Sequence, residues 1–174
     1  MGWEEEFVQK IKIGMGLWIV ICLLACAGQG KNGFDQVEAR LPELASDSGR
    51  IYIYTPIRHL TLDFVPKVLV NGTSVGRSLS GTFLVVDEPA GEYTVDVADE
   101  KSFSNSGGQI KSEPATISLK AGETRYVRLH AINSDYFIQM KSIPEDAKNG
   151  QRDLKILSFN GGNVLPLDPS QEKP

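Results

Sequence analysis

Cysteine is nearly absent from this 174-residue sequence, which holds only Cys22 and Cys26. Both lie near the N-terminus, so no disulfide can brace the chain that follows them. Histidine is equally rare, with His59 and His130 alone. A metal site usually groups several ligands in space, and Asp63 near His59 does not complete such a set. We therefore expect a fold held by packing, with no metal and no other cofactor.

Runs of basic residues are also missing, and the formal net charge is −4 at pH 7. Proteins that bind nucleic acid neutralise its phosphates with clustered Lys and Arg side chains. We therefore expect no nucleic-acid partner. A phosphate-binding loop is absent as well, because Gly30-Lys31 lacks the other parts of that motif.

One apolar stretch, residues 13–25, carries no charge and follows Lys10 and Lys12. It is shorter than the ~20 residues of a membrane-spanning helix and suits the core of a secretory signal peptide. The stretch ends in Leu23-Leu24-Ala25-Cys26, which resembles the lipobox of bacterial lipoprotein precursors. The resemblance implies cleavage between Ala25 and Cys26 and attachment of lipid to the Cys26 thiol.

Residues 1–25 are thus predicted to be a lipoprotein signal peptide, and the membrane is an expected partner through the lipid on Cys26. In Gram-negative lipoproteins an Asp after the cysteine favours the inner membrane. By the same resemblance, Ala27 implies a cell-envelope protein of the outer membrane that faces the periplasm. Two alternatives stay open. One is an uncut signal anchor, and the other is a metal pair of Cys22 and Cys26 at helical spacing.

Glycines open the next segment, residues 26–48, which predicts a flexible tether between the anchor and the domain. Within it, Phe34, Val37 and Leu41 would share one face of a short helix. Pro42 would end that helix.

Residues 49–142 predict short strands separated by turns. The string IYIYT that follows Arg50 is apolar on both faces, as expected of a strand inside a sandwich. Asn71-Gly72 is a strong hairpin signal, and we interpret the glycosylation sequon that ends at Thr73 as this turn. Residues 92–97 and 124–131 alternate between apolar and polar side chains. The predicted fold is all-β, an antiparallel β-sandwich of about seven to eight strands.

Residues 143–174 lie beyond the predicted sandwich. Ser142 and Pro144 are typical of the start of a short helix. From Ser158 onward, Gly161-Gly162 and three prolines predict a disordered tail.

Several strings of the predicted sandwich occur together in one known family. They resemble the bacterial lipoproteins that carry domain of unknown function 2846, which are similar in turn to small PEGA-type β-sandwich modules. Pro89-Ala90-Gly91-Glu92 stands at the place of the Pro-Glu-Gly-Ala turn of those modules. The resemblance implies a sandwich over residues 49–142 and an envelope location, and it brings no activity and no catalytic residue. The strings are GRIYIYTP, KVLVNGTSVG, TFLVVDEPAGEYTVDV and LKAGETRYVRL.

One catalytic pattern matches. Residues 72–76, GTSVG, fit the nucleophile elbow of serine hydrolases, with Ser74 as nucleophile, and Asp87 or Asp96 and then His130 follow in hydrolase order. An elbow requires a helix after the serine, and here another strand follows. A small serine esterase or peptidase that uses Ser74 is therefore the alternative hypothesis. The leading hypothesis is a non-enzymatic binding or structural module with an envelope protein as partner.

The tyrosines offer one more possibility. Tyr52, Tyr54, Tyr93 and Tyr126 have the spacing of core or cross-strand packing, and a periplasmic ligand carrier that uses them to line a groove is a further alternative. The alternating stretch 124–131 also predicts an exposed row. That row is the best candidate for a partner-facing strip and consists of Tyr126, Arg128 and His130.

Overall fold

A computed structural model describes residues 33–57, 65–98, 109–133 and 137–165. These residues form ten strands and two short helices. In chain order they are α1 (Phe34–Glu38), β1 (Ser48–Thr55), β2 (Lys67–Val70), β3 (Thr73–Arg77), β4 (Thr82–Pro89), β5 (Gly91–Ala98), β6 (Gln109–Glu113), β7 (Ala115–Leu119), β8 (Thr124–Asn133), β9 (Phe137–Glu145), α2 (Ala147–Leu154) and β10 (Ser158–Gly162).

The strands make two sheets. The larger sheet has the order β10-β4-β1-β8-β9-β6, and the smaller has the order β3-β2-β5-β7. The predicted all-β sandwich is therefore confirmed. Alongside its antiparallel pairs, the larger sheet contains three parallel ones, β1 with β8, β4 with β10, and β6 with β9.

The main core lies between the two sheets and follows the period of two that a strand imposes. In β1, Ile51 and Ile53 point into this core and are almost fully buried. Opposite them lie apolar side chains of the smaller sheet, such as Val68 and Val95. Burial of each such side chain contributes about 1.5–3 kcal/mol, so packing in this core can stabilise the fold without a disulfide.

A second apolar cluster covers the outer face of the larger sheet. Tyr52 and Tyr54 point to this side of β1, together with Phe83 of β4, and all three are buried. Both faces of β1 are thus covered, as its sequence predicts. The cover consists of α1, α2 and the chain around β10.

Helix α1 corrects the prediction of a flexible tether. Its apolar face was expected, and Phe34 and Val37 do pack on the larger sheet, with Leu41 partly buried beside them. The ring of Phe34 meets that of Tyr52 edge to face at 5.6 Å between centroids. The predicted tether at 26–48 is therefore wrong for the helical part, while its residues before Gly33 lie outside the described ranges.

The chain after β9 corrects a second prediction. The short helix exists, but Asp146 caps it, because its carboxylate accepts the Asn149 N–H at 2.9 Å, and β9 continues through Pro144. Residues 158–162 form β10 and not a disordered tail, with Phe159 buried against Phe83, because this sheet edge has an apolar face to cover. The predicted tail beyond residue 165 lies outside the described ranges.

No helix among the described residues combines the length and apolar character that a membrane crossing requires. The predicted signal peptide, residues 1–25, lies outside those residues.

The two long sides of the sandwich differ. On one side, Pro114 separates β6 from β7, so the chain passes there from the larger sheet to the smaller. On the other side, the edge strands β10 and β3 lie next to each other. Asn160 of β10 donates from Nδ2 to the Arg77 carbonyl oxygen of β3 at 2.9 Å.

Candidate functional site

A recess of about 300 Å³ opens on the side of the sandwich where β3 and β10 meet. The β2–β3 hairpin, the end of β4, the start of β5 and the chain after β10 all contribute to it. We call it the edge recess, and its lining consists of Val70, Asn71, Thr73, Ser74, Val75, Glu88, Tyr93, Gly162 and Asn163.

The β2–β3 hairpin forms one wall, and its turn is the predicted Asn-Gly turn. Asn71 and Gly72 both have positive φ, 48° and 78°, as a two-residue hairpin of type I′ requires. The Asn71 side chain also joins β5, since its Oδ1 accepts the Thr94 N–H at 2.8 Å. The sequon residue Asn71 is thus a structural part of the turn, as the sequence indicated.

The chain on either side of the β4–β5 turn contributes Glu88 and Tyr93 to the lining. Tyr93 donates its hydroxyl proton to the Pro89 carbonyl oxygen at 2.7 Å, and its ring lies 3.5 Å from the position that a Cβ on Gly91 would take. This hydrogen bond joins Pro89 and Tyr93 across the turn. Both turns therefore border the same recess.

Asn163 lines the recess beside the end of β4, and its role was not predicted from the sequence. Its Oδ1 accepts the Asp87 N–H at 2.9 Å, and its Nδ2 donates to the Asp87 carbonyl oxygen at 3.0 Å. The same Nδ2 lies 3.3 Å from Glu88 Oε1. The Asn163 side chain thereby makes the two hydrogen bonds with the Asp87 backbone that a neighbouring strand would otherwise make.

Gly162 makes this arrangement sterically feasible. Its φ is +128°, and a Cβ there would lie 2.6 Å from the Val85 backbone carbon. Only a glycine can pass so close to β4. The sequence contained a signal for this contact, Gly161-Gly162-Asn163, but glycine pairs are equally typical of disordered tails.

Asp87, one candidate acid of the catalytic pattern, is used in an ion pair. Arg50 Nε and Nη2 each donate to an oxygen of its carboxylate at 2.7 Å. The pair is largely buried, with side-chain exposures of 11% for Arg50 and 20% for Asp87. The hydrogen bonds with this carboxylate raise the pKa of Arg50.

The other members of the catalytic pattern also lie apart. Ser74 is exposed within β3, so it does not occupy a strand-to-helix elbow. Asp96 accepts hydrogen bonds from the Val97 N–H and from the Ser112 hydroxyl. His130 lies on β8 of the other sheet, opposite Lys141 of β9. The structure therefore brings neither aspartate into a triad with Ser74 and His130.

The predicted partner-facing strip is wrong for Tyr126, which is only 4% exposed. The alternation along β8 is correct, but α2 covers the outer face at this point, and Gly150 lies against the Tyr126 ring. Arg128 is half-buried and pairs with Glu145 at 2.7 Å between Nε and Oε1. His130 is also half-buried.

The tyrosines are packed as the core interpretation predicts. Tyr52, Tyr54 and Tyr126 are buried in the outer cluster, and Tyr93 packs partly against the main core. Burial raises the pKa of Tyr52 to about 12, although the nearby Arg50 guanidinium acts in the opposite direction. Burial and the Asp153 carboxylate likewise raise the pKa of Tyr54, whose hydroxyl donates to that carboxylate at 3.1 Å.

Several predicted site residues fall outside the described ranges, namely Ala25 and Cys26 of the lipobox, Cys22, and His59 with Asp63. Within those ranges, no three His, Cys, Asp or Glu side chains are grouped so that they could hold a metal ion.

Comparison with known proteins shows the family of this chain. The family model described as "Protein of unknown function (DUF2846)" matches residues 45–142, which is more than half of the chain. The matched stretch runs from just before β1 into β9, so it includes both motif-bearing turns of the edge recess and ends before α2 and β10. No curated protein and no solved structure matches the chain. The protein therefore belongs to the DUF2846 family of proteins of unknown function.

Proposed function

We propose that this protein is a lipid-anchored component of the bacterial cell envelope whose β-sandwich serves as a non-enzymatic binding or structural module. The observation that carries the first part is the apolar stretch 13–25, which ends at Ala25 and Cys26 ahead of a folded domain. A lipid contributes about 0.8 kcal/mol for each CH₂ group inserted, so more than one acyl chain on Cys26 holds the domain durably at a membrane.

The use of the polar side chains supports the non-enzymatic part. Asp87 neutralises Arg50, Asp96 binds β6, and Asn71 and Asn163 join neighbouring strands. General acid–base and nucleophilic catalysis need such groups within hydrogen-bond reach of each other. A scaffold that uses them to fix its turns is better suited to present a surface. The packing of Tyr52, Tyr54 and Tyr126 in the outer cluster speaks against an open aromatic groove for a carried ligand.

The anchor is tested with the full-length chain in bacteria. A Cys26→Ala variant should lose labelling by radioactive palmitate and should leave the membrane fraction. Cys22→Ala is the matched control, since it removes the other cysteine and should keep both properties. A Cys26→Ala protein that stays in the membrane with its N-terminus uncut would favour the signal anchor instead. Separation of the two membranes by density then tests the outer-membrane location.

The binding role is tested by crosslinking in cells and purification of the protein from membranes. A partner that recurs, together with an envelope defect on deletion, would support the proposal. The absence of both would count against it. The esterase alternative is tested separately with Ser74→Ala and ester substrates. Equal background hydrolysis by the mutant and the wild type would exclude it.

A further inference from the structure

We propose that the edge recess binds an extended peptide segment carrying Lys or Arg, which adds to the β3 edge as a short strand. This inference rests on the proposed binding role and names the class of partner. It requires that β3 offers unpaired backbone groups to the recess, and that the recess favours a basic side chain. The register of the strands and the hydrogen bonds around them meet both requirements.

The direction of the Ser74 backbone follows from the ladder between β2 and β5. The Asn71 N–H donates to the Thr94 carbonyl oxygen at 2.9 Å. The backbone N–H and C=O of Leu69, two residues earlier, therefore also point toward β5, where Leu69 lies opposite Asp96. Hydrogen-bonded and non-hydrogen-bonded pairs alternate along an antiparallel ladder. Ser74 lies opposite Leu69 and is therefore in a non-hydrogen-bonded pair. Its N–H and C=O point away from β2, toward the open edge.

A second position on β3 confirms this geometry. Arg77 lies opposite Lys67, and by the same alternation its backbone N–H and C=O point outward. Its carbonyl oxygen accepts from Asn160 Nδ2 of β10, as an outward group should. For Ser74, no described residue supplies a corresponding hydrogen bond to the outward N–H or C=O. Unpaired edge groups of this kind are the template for addition of another strand.

The register shift in β3 limits how far such a strand can pair. Val75 is the extra residue, since Ser74 lies opposite Leu69 and Gly76 lies opposite Val68. A bulge of this kind bends the strand and interrupts its outer edge. An added peptide therefore pairs with β3 around Ser74 only, and the side chains of the recess must supply the remaining selectivity.

Glu88 gives the recess its charge. It is half-buried, and it is the only ionised side chain among the lining residues. One of its oxygens lies 3.3 Å from Asn163 Nδ2, and an ionised carboxylate can accept further hydrogen bonds. Asp87 beside it is already neutralised by Arg50. A Lys or Arg side chain is therefore the complementary partner, and an acidic one is disfavoured.

The other edge of the same sheet provides a matched control. Tyr93 and Ile117 lie opposite each other on β5 and β7, and Thr116 directly precedes Ile117 in β7. The Thr94 backbone points toward β2, so by the alternation of an antiparallel ladder the Tyr93 backbone points toward Ile117. Thr116 is then in a non-hydrogen-bonded pair, and its N–H and C=O point outward. This edge has the same type of outward group but does not border the edge recess.

The test uses the purified full-length protein and the blocked peptide TVTKTVT as probe. We expect saturable binding at submillimolar peptide, and at least about fivefold weaker binding of TVTETVT. Two further probes carry N-methyl groups on alternate amides, one for each edge of the extended peptide. Strand addition predicts that one of these two loses binding. Equal binding of both methylated forms and the parent peptide would overturn the proposal, and so would no saturable binding at millimolar peptide.

Variants of the protein test the same contacts from the other side. Ser74→Pro removes the outward N–H without removing a ladder hydrogen bond, and should weaken binding at least about fivefold. Thr116→Pro alters the other edge, so it should change binding less than about twofold. Glu88→Gln should abolish the preference for the lysine peptide over the glutamate peptide. Circular dichroism and thermal melting check that each variant folds.

Other outcomes would contradict the proposal directly. A loss of binding in Thr116→Pro, with none in Ser74→Pro, would place the peptide at β7. Displacement of the peptide by N-acetylglucosamine would assign the recess to a sugar. Cys26→Ala should bind the peptide as the wild type does, so failure of the peptide site and failure of the anchor can be told apart.

Discussion

The rings of Tyr52 and Tyr126 stack on the outer face of the larger sheet, with 5.5 Å between centroids and 9° between planes. The two residues lie opposite each other on the parallel strands β1 and β8. Helix α2 then covers Tyr126, because Gly150 lies against its ring. The stack and the helix together explain why Tyr126 is buried, although the row of Tyr126, Arg128 and His130 alternates like an exposed strand face.

Substitution of Gly150 should loosen this cover. A Cβ there would lie 2.5 Å from Tyr126 Cδ1, and the Tyr126 ring is held in the stack with Tyr52. Alanine gains about 1 kcal/mol of helix propensity, while overpacking typically costs about 1–3 kcal/mol. The net of these two terms is a loss in the free energy of unfolding of up to about 2 kcal/mol for Gly150→Ala, measured in urea titrations. Lys148→Ala, on the exposed face of the same helix, should leave it nearly unchanged, and an equal effect of both would contradict this account.

The hairpin at Asn71 can be dissected by three substitutions. Asn71→Asp keeps both the acceptor for the Thr94 N–H and tolerance of positive φ, so it should cost least. Asn71→Gly keeps only the backbone freedom and should lose about 1 kcal/mol. Asn71→Ala loses both and should lose about 2–3 kcal/mol. Chemical denaturation gives the order, and an alanine variant as stable as the glycine variant would show that the positive φ costs nothing.

Local patterns were enough to predict most of the sandwich. The run IYIYT fixes a strand with two covered faces, and Asn71-Gly72 fixes a hairpin, because each pattern acts through neighbouring residues. The burial of Tyr126 could not be predicted in this way. The alternation along β8 shows only that Tyr126 and Val127 face opposite sides. Which side meets solvent depends on α2, a distant segment whose docking no local pattern encodes.

The edge recess was only half visible in the sequence. Its two turns were recognised as motifs, but their convergence depends on the pairing of β2 with β5. The contribution of Asn163 could not be predicted, because Gly161-Gly162 before it are also typical of a flexible tail. A side chain that replaces a strand has no periodicity, so its role emerges only from the fold.

Gly162 should tolerate substitution far less than a glycine that needs only its backbone conformation. Gly162→Ala combines a φ of +128° with a Cβ that would lie 2.6 Å from the Val85 backbone carbon. We expect a loss of about 3 kcal/mol or more and faster hydrogen exchange in β10. Gly122→Ala is the control, since its φ is +73° and nothing lies within 4 Å. It should cost only about 1–2 kcal/mol. Equal losses would mean that the contact with β4 is unimportant.

The buried tyrosines predict a loss of stability at high pH. The pKa of Tyr52 is raised from 10.0 to about 12, chiefly by burial. Between these values the unfolded chain has lost the phenolic proton while the folded chain retains it, so the unfolded state binds fewer protons and stability falls as pH rises. Below pH 10 this contribution is fully present, and above about 12 no more of it is lost. Each such tyrosine contributes a slope of about 1.4 kcal/mol per pH unit. Tyr52→Phe keeps the ring stack, so it should reduce the slope of unfolding free energy against pH by that amount, measured with denaturant at several pH values. An unchanged slope would mean that the Tyr52 phenol titrates in the folded protein as it does in the unfolded chain.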